Sequence, residues 1–369
     1  MPLTDWKQVK SLGKGGQGEV FLVERPLAGP EHVDRFRQAA RKVALENNMF
    51  EQRPDTQTLI DLIREVVPVE RGALKQLHPL ANDVDANVAL ERMKREISVL
   101  QTTKHDALPR VLEANIEERW FVMEFCSRGA LNQDLDRTKG MVLPTLVRLR
   151  PIVEATSLLH AKGLVHRDIK PKNLFVREDV GLVLGDLGLV VPVGDDARVT
   201  ETYANPGSRD WMPGWVMGKT RIEDIRPNVD VFALGKVLWC MVSGERGLTL
   251  WYHDKPEHEL SKRFPDNHQI PWITAILNKT VRENEGDCLA DAGLLLKEID
   301  SAIEALHRGA QHLSTEKSHA HRCWVCGIGR YRPAPAPGPV TRRVACEHCG
   351  HIQDFAWRDK PAWESSEPH

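Results

Sequence analysis

Residues 164–173 read LVHRDIKPKN. His166, Arg167, Asp168, Lys170 and Asn173 crowd into this stretch, directly after an apolar helical run. A polar turn closing a helix would explain one or two of these residues, but not the whole set. Asp168 is placed to accept or steer the proton of an attacking hydroxyl. Lys170, two residues on, can neutralise charge on a phosphoryl group in flight. Asn173, five residues on, can bind a metal across the same loop. A second acid follows in GDLG, where Asp186 ends a short buried strand and can chelate Mg²⁺ between phosphates. One base, one cation and two oxygen ligands for a hard metal form a sufficient set for phosphoryl transfer.

The phosphates need a cradle, and the N-terminus offers one. LGKGGQGEV supplies Gly13, Lys14, Gly15, Gly16, Gln17, Gly18 and then Val20. Glycines at this spacing let backbone amides approach phosphate oxygens with no side chain in the way. A dinucleotide fold would place a helix straight after the last glycine. Here EVFLVE continues as a strand, which favours a hairpin capping a nucleotide. A lysine on the next strand would hold the phosphates, and Lys75 in GALKQL, two residues after Ala73, fits. Glu96 in RMKREISVL can aim that flexible ammonium. KVALE at 42–46 imitates the strand motif but carries Glu46 where lysine is required.

Taken in order, these motifs resemble the eukaryotic-type (Hanks-type) serine/threonine protein kinase family over residues 6–308. The resemblance implies an α+β, bilobal fold with a β-rich N-lobe, a helical C-lobe and the ATP cleft between. It makes Met123 the gatekeeper and Glu124 to Cys126 the hinge that reads adenine through backbone groups. The implied nucleotide-binding set is Gly13 to Gly18, Val20, Ala73, Lys75, Glu96, Met123, Glu124, Cys126, Asn173 and Asp186. Asn173 and Asp186 would hold Mg²⁺ or Mn²⁺, and Asp230 in DVFALG would brace the catalytic loop from a buried helix. Lys170 in KPKN is similar to the serine/threonine-specific type, and the plain style of the motifs points to a bacterial member. Arg167 implies control through a phosphorylated activation segment, with Thr200 and Thr202 as acceptors.

Two departures stand out. Leu187 replaces the commoner phenylalanine and keeps an apolar plug. The segment NPGSRDWMPGWV has Gly214 and Trp215 where the family ends its peptide-positioning segment with glutamate. The arginine that normally pairs with that glutamate is also absent, Cys288 lying near its place. Losing both charges together avoids leaving one buried alone.

The 369 residues carry a net charge near −2, which argues against a general nucleic-acid or membrane binder. No apolar run reaches membrane-spanning length, and MPLTDWKQVK lacks the core of a signal peptide, so a cytoplasmic location is expected. Residues 5–25 read as strand, turn, strand. Residues 26–70 read as a helical insertion in the N-lobe, with helices near 33–52 and 56–67. Residues 88–102 read as an amphipathic helix, residues 110–125 as a hairpin, and helices dominate from 143 to 311.

Of seven cysteines, four sit in two CxxC turns, Cys323 with Cys326 and Cys346 with Cys349. Four thiolates close a tetrahedral Zn²⁺ site of ribbon type, whose metal supplies the folding energy of so small a module. The expected organisation is a kinase domain at 1–308, a linker at 309–322, a structural zinc ribbon at 323–357 and a flexible tail at 358–369. The partners expected are a protein substrate, and a second protein on the ribbon ahead of nucleic acid. Oligomeric state is left open. A pseudokinase scaffold and a small-molecule phosphotransferase are the alternatives.

Overall fold

The computed structural model describes residues 6–15, 18–26, 69–78, 83–192, 210–216, 225–313, 323, 325, 331–334, 341–346, 348–349 and 351–356. The chain divides into two compact units, Met1–Thr102 with Pro109–Phe125, and Thr103–Leu108 with Cys126–His369.

In the first unit, β1 (Lys7–Lys14), β2 (Gly18–Pro26), β3 (Val69–Leu77), β4 (Val111–Asn115) and β5 (Trp120–Glu124) form one sheet in the order β1-β2-β3-β5-β4. Every pairing is antiparallel. β1 is an edge strand and is exposed along its length. Val9 and Leu12 stay exposed. The core lies further in, where Trp6, Val23, Leu74, Trp120 and Val122 pack together. The Trp6 indole N–H donates to Glu113 Oε2 at 2.9 Å, so a buried aromatic keeps its polar atom satisfied. Gly72 is required here, because a Cβ would lie 3.3 Å from the Trp6 ring and closer still to Val122.

The β2–β3 ladder runs without a break from Gly18↔Leu77 to Pro26↔Val69. The excursion through residues 27–68 therefore leaves and rejoins the sheet at paired positions, and the sheet closes around it. The two helices expected there lie outside the described residues. α1 (Asp83–Thr102) follows β3, beginning five residues before the expected start.

In the second unit, α2 (Val142–Ala161) leads into a loop region carrying two short strand pairs. β6 (Leu164–Val165) pairs with β9 (Val191–Pro192), and β7 (Leu174–Val176) with β8 (Leu182–Leu184). These two-residue and three-residue pairings are too short to be seen as alternation in sequence; only β8 was expected. α3 (Asn228–Ser243) is buried along its whole length, as its predominantly apolar sequence allows. Gly244, at φ 77°, stops it in the left-handed conformation, its N–H donating to Cys240 O at 2.9 Å. α4 (Leu260–Arg263), α5 (Ile270–Thr280) and α6 (Ala292–Leu313) are the remaining α-helices among the described residues. α6 buries Leu295, Ile299, Ala302 and Leu306, one helical stripe. It runs to Leu313, into the segment expected as linker. Pro151 sits inside α2 and removes the N–H that would serve Val147 O, but Val147 is exposed and water can replace the bond.

β10 (Tyr331–Ala334), β11 (Thr341–Cys346) and β12 (Ile352–Ala356) form a separate antiparallel sheet near the C-terminus. Among the described residues no helix is long and apolar enough to cross a membrane.

The α3–α5 crossing depends on one missing methyl. A Cβ on Gly235 would fall on the Thr280 hydroxyl and 2.7 Å from Val281 Cγ2. Gly235→Ala is expected to cost about 1–3 kcal/mol in urea unfolding; an unchanged midpoint would show that the two helices are not in contact there.

Candidate active site and candidate metal centre

The residues of the first unit expected to face the nucleotide are placed by the sheet. In β1 and β2, Gly13 faces Val20 and Lys14 faces Glu19, and Gly15 N–H donates to Gly18 O at 2.8 Å to close the turn. Gly16 and Gln17 lie outside the described residues. Gly18 lies so close to β3 that any Cβ would strike the Gln76 carbonyl. β3 carries Ala73 opposite Met123 and Lys75 opposite Val20 on one side and Phe121 on the other. Lys75 Nζ donates to Glu96 Oε2 on α1 at 2.7 Å, with the Glu96 side chain only 1% exposed. A carboxylate this deep needs a fixed cation, and the ammonium gains a single heading in return. Glu124 closes β5, its N–H donating to Arg110 O at 2.9 Å.

The residues expected to form the catalytic loop lie in the second unit. Lys170 Nζ donates to both oxygens of Asp168, at 2.7 and 2.8 Å. Asn173 Nδ2 donates to the Asp168 carbonyl at 2.9 Å and to its Oδ2 at 2.7 Å. Proline at 171 opens the short 3₁₀ turn that carries Asn173 back over Asp168. The strand of Asp186 is tied to this loop, since Gly185 N–H donates to Asn173 O at 2.9 Å and His166 Nε2 reaches Gly185 O at 3.2 Å. Asp186 itself is left-handed, at φ 57°. Leu187 is fully buried beside it, an apolar plug as its sequence suggested. Cys126 also belongs to this unit and is buried, its carbonyl accepting from Gly129 N–H at 3.4 Å.

The loop hangs on Asp230. This wholly buried carboxylate on α3 accepts from the backbone N–H of His166 at 2.7 Å and of Arg167 at 2.8 Å. Arg167 needs that support because its backbone is left-handed, at φ 67°. His160, at the end of α2, adds a third bond to Asp230 Oδ2 at 3.0 Å. Its Nδ1 accepts from the Ala292 N–H at 3.0 Å, so the ring proton sits on Nε2 and points at Asp230. Burial alone would raise the Asp230 carboxyl, but the hydrogen bond from His160, with that from the His166 backbone N–H, holds it below the usual 3.8. Sequence reasoning found Asp230 and missed His160; the signal was a second histidine six residues before His166. Arg167 Nε donates to Leu189 O at 2.8 Å, linking the loop to the chain after Asp186. Thr200 and Thr202 lie outside the described residues.

Near the C-terminus, the sulfur atoms of Cys323, Cys346 and Cys349 lie within 4.8 Å of one another, and those of Cys323 and Cys349 are 3.7 Å apart. Cys326 lies outside the described residues. The N–H groups of His348 and Cys349 donate to Cys346 Sγ at 3.4 and 3.5 Å. Burial pushes the Cys349 thiol up to about 12, with the His351 amide pulling against it and the Cys323 sulfur adding to it. Three converging sulfurs with amides turned toward one of them suit a tetrahedral thiolate-bound cation.

Asp230→Asn would turn an NH₂ toward one of two backbone N–H donors. A loss of about 3–5 kcal/mol is expected. Because the folded carboxyl titrates below its unfolded value, its contribution is present above pH 3.8 and is lost as pH falls through the folded value. Unfolding measured against pH should therefore show an acid slope below 3.8 that is shallower in the variant; identical slopes would contradict the assignment.

Comparison with known proteins agrees with this geometry. The protein kinase domain family model matches residues 62–308. The chain is 28% identical over 297 residues to the serine/threonine-protein kinase PknA of Mycobacterium tuberculosis, covering 76% of this chain and 64% of that protein's length. It is 26% identical over 243 residues to the interferon-induced, double-stranded RNA-activated protein kinase of Rattus norvegicus, 63% of this chain and 40% of the relative. With mitogen-activated protein kinase kinase kinase 4 of Homo sapiens it shares 26% over 209 residues, 56% of this chain and 13% of the relative. The match begins at 62, inside the β2–β3 excursion, while β1 and β2 before it complete the same sheet. A helix-bearing five-stranded sheet, an Asp168–Lys170–Asn173 cluster braced from a buried helix, and a family match over most of its length together place this chain in the protein kinase domain family.

Proposed function

We propose that this chain is a serine/threonine protein kinase that transfers the γ-phosphoryl group of ATP to a protein hydroxyl. The observation that supports it most is the Asp168 carboxylate, held at once by Lys170 and Asn173. In this reading Asp168 steers the acceptor hydroxyl and takes its proton, and Lys170 balances charge on the phosphoryl group. Asn173, through its amide oxygen, and Asp186 would hold Mg²⁺ or Mn²⁺, whose chemistry is to neutralise the phosphate oxygens. Lys75, aimed by Glu96, would hold the phosphates under the Gly13 to Gly18 turn. Val20, Ala73, Met123, Glu124 and Cys126 would take the adenine. A phosphate on Thr200 or Thr202 would pair with Arg167.

Residues 1–308 would form the kinase domain and 323–357 a structural zinc ribbon on Cys323, Cys326, Cys346 and Cys349. The ribbon recruits a protein in this account, and its zinc is closed to chemistry because all four positions are filled by sulfur.

Transfer from labelled ATP to serine- and threonine-containing peptides, with and without Mg²⁺, tests the activity. Asp168→Asn is expected to cut turnover by about 10²–10⁴; near-normal phosphorylation by that variant would overturn the role of Asp168, and a wild-type chain that transfers nothing would be a pseudokinase. Elemental analysis should find about one zinc per chain, lost in Cys346→Ser; a metal-free, folded wild-type chain would overturn the ribbon.

A further inference from the structure

Lys236 interrupts the otherwise apolar run VFALGKVLWCMV of α3 and is 1% exposed. Its ammonium donates to the backbone carbonyl of Asp210. It also sits 5.7 Å from the centre of the Trp211 ring and 5.5 Å from that of Phe232. Burial pushes the ammonium down to about 8, with Cys240 and the Asp210 carboxylate pulling it back up. Among the described residues no carboxylate is bonded to Lys236, and a cation buried this way costs stability that an apolar side chain would not. What the lysine supplies in return is a fixed position for Asp210 and Trp211.

That position matters because of what the neighbouring segment lacks. The family ends this segment with a glutamate paired to a distant arginine, and here both places are neutral. Trp215 packs edge-on against Phe232 at 5.4 Å, and Val216 joins Val165, Met212, Ile225 and Val229 in an apolar cluster. Cys288 Sγ donates to Thr280 O at 3.1 Å. The segment 210–216 is therefore pinned at its far end by apolar packing and at its near end by a single charge-assisted hydrogen bond and two aromatic faces. Phe232 serves both ends, with Trp215 at its edge and Lys236 over its ring.

We propose that Lys236 is a positioning residue for the protein acceptor: it holds the Asp210–Trp211 turn in the shape that receives the substrate chain, taking over from the missing ion pair. The proposal rests on the kinase reading above. Lys236 touches neither nucleotide-site residues nor Asp168; it acts through the Asp210 carbonyl and the Trp211 ring.

Lys236→Met keeps the length and apolar stem of the side chain and removes the charge. Asp210 is exposed, so its carbonyl can turn to water. The variant should raise KM for a peptide acceptor about tenfold, the loss of one hydrogen bond to a charged donor. Turnover and KM for ATP should stay within about twofold. Hydrogen exchange of amides in 210–216 should quicken, and the melting temperature should hold or rise, because a buried charge has been removed. Unchanged exchange, or faster exchange with an unchanged peptide KM, would overturn the proposal. So would a lower melting temperature accompanied by equal losses in both substrates, since that is the signature of a merely structural lysine. A wild-type chain that phosphorylates no peptide would refute the kinase reading, and the acceptor role with it; that outcome is distinct from an active enzyme indifferent to Lys236→Met.

Discussion

A buried carboxylate accepting two adjacent backbone N–H groups is the constraint on which the loop from His166 to Asn173 depends. Asp230 is carried by a helix with no exposed face, so it has no freedom to follow the loop; the loop must come to it. Once His166 and Arg167 have docked their amides, Asp168 is fixed in direction, and Lys170 and Asn173 can close on it from the next turn. The strain of a left-handed Arg167 is tolerable for the same reason. His160 extends the constraint to α2 and α6, since one ring bonds Asp230 on one side and the Ala292 amide on the other. Three helices are thus coupled to the geometry of one side chain, Asp168.

The first unit solves a different problem. A lysine is a long, flexible cation, and the Glu96 carboxylate converts it into a directed one. The sheet that carries Lys75 tolerates a long excursion between β2 and β3 because the ladder is already paired at Pro26 and Val69, where the chain leaves and returns. Loop-closure entropy grows slowly with length, so the cost of such an insertion is modest. Placed inside either strand, the same residues would have broken the register that sets Lys75 opposite Val20.

Much of this was legible in the sequence, for physical reasons that differ by residue. The pair Lys75 and Glu96 could be read because only one lysine stands on a strand at the right distance before a helical glutamate; Glu46 disqualified the imitation. Asp168, Lys170 and Asn173 could be read because phosphoryl transfer requires those groups close along one loop. His160 and Lys236 could not be read in the same way. Neither belongs to a local motif, and the meaning of each comes from partners far along the chain, Ala292 for the first and Asp210 for the second. The apolar residues of β1 did not report burial: this is an edge strand, and Val9 and Leu12 stay exposed on it. The short pairings β6 with β9 and β7 with β8 leave no periodic trace at all.

Residue-resolved hydrogen exchange of the His166 and Arg167 amides tests the central claim most directly. If Asp230 holds the loop as described, both amides exchange only through global unfolding, as slowly as the amides at the middle of α3. Exchange of either amide orders of magnitude faster than α3 in the intact protein would mean that the carboxylate does not fix the loop, and the account built on it would be wrong.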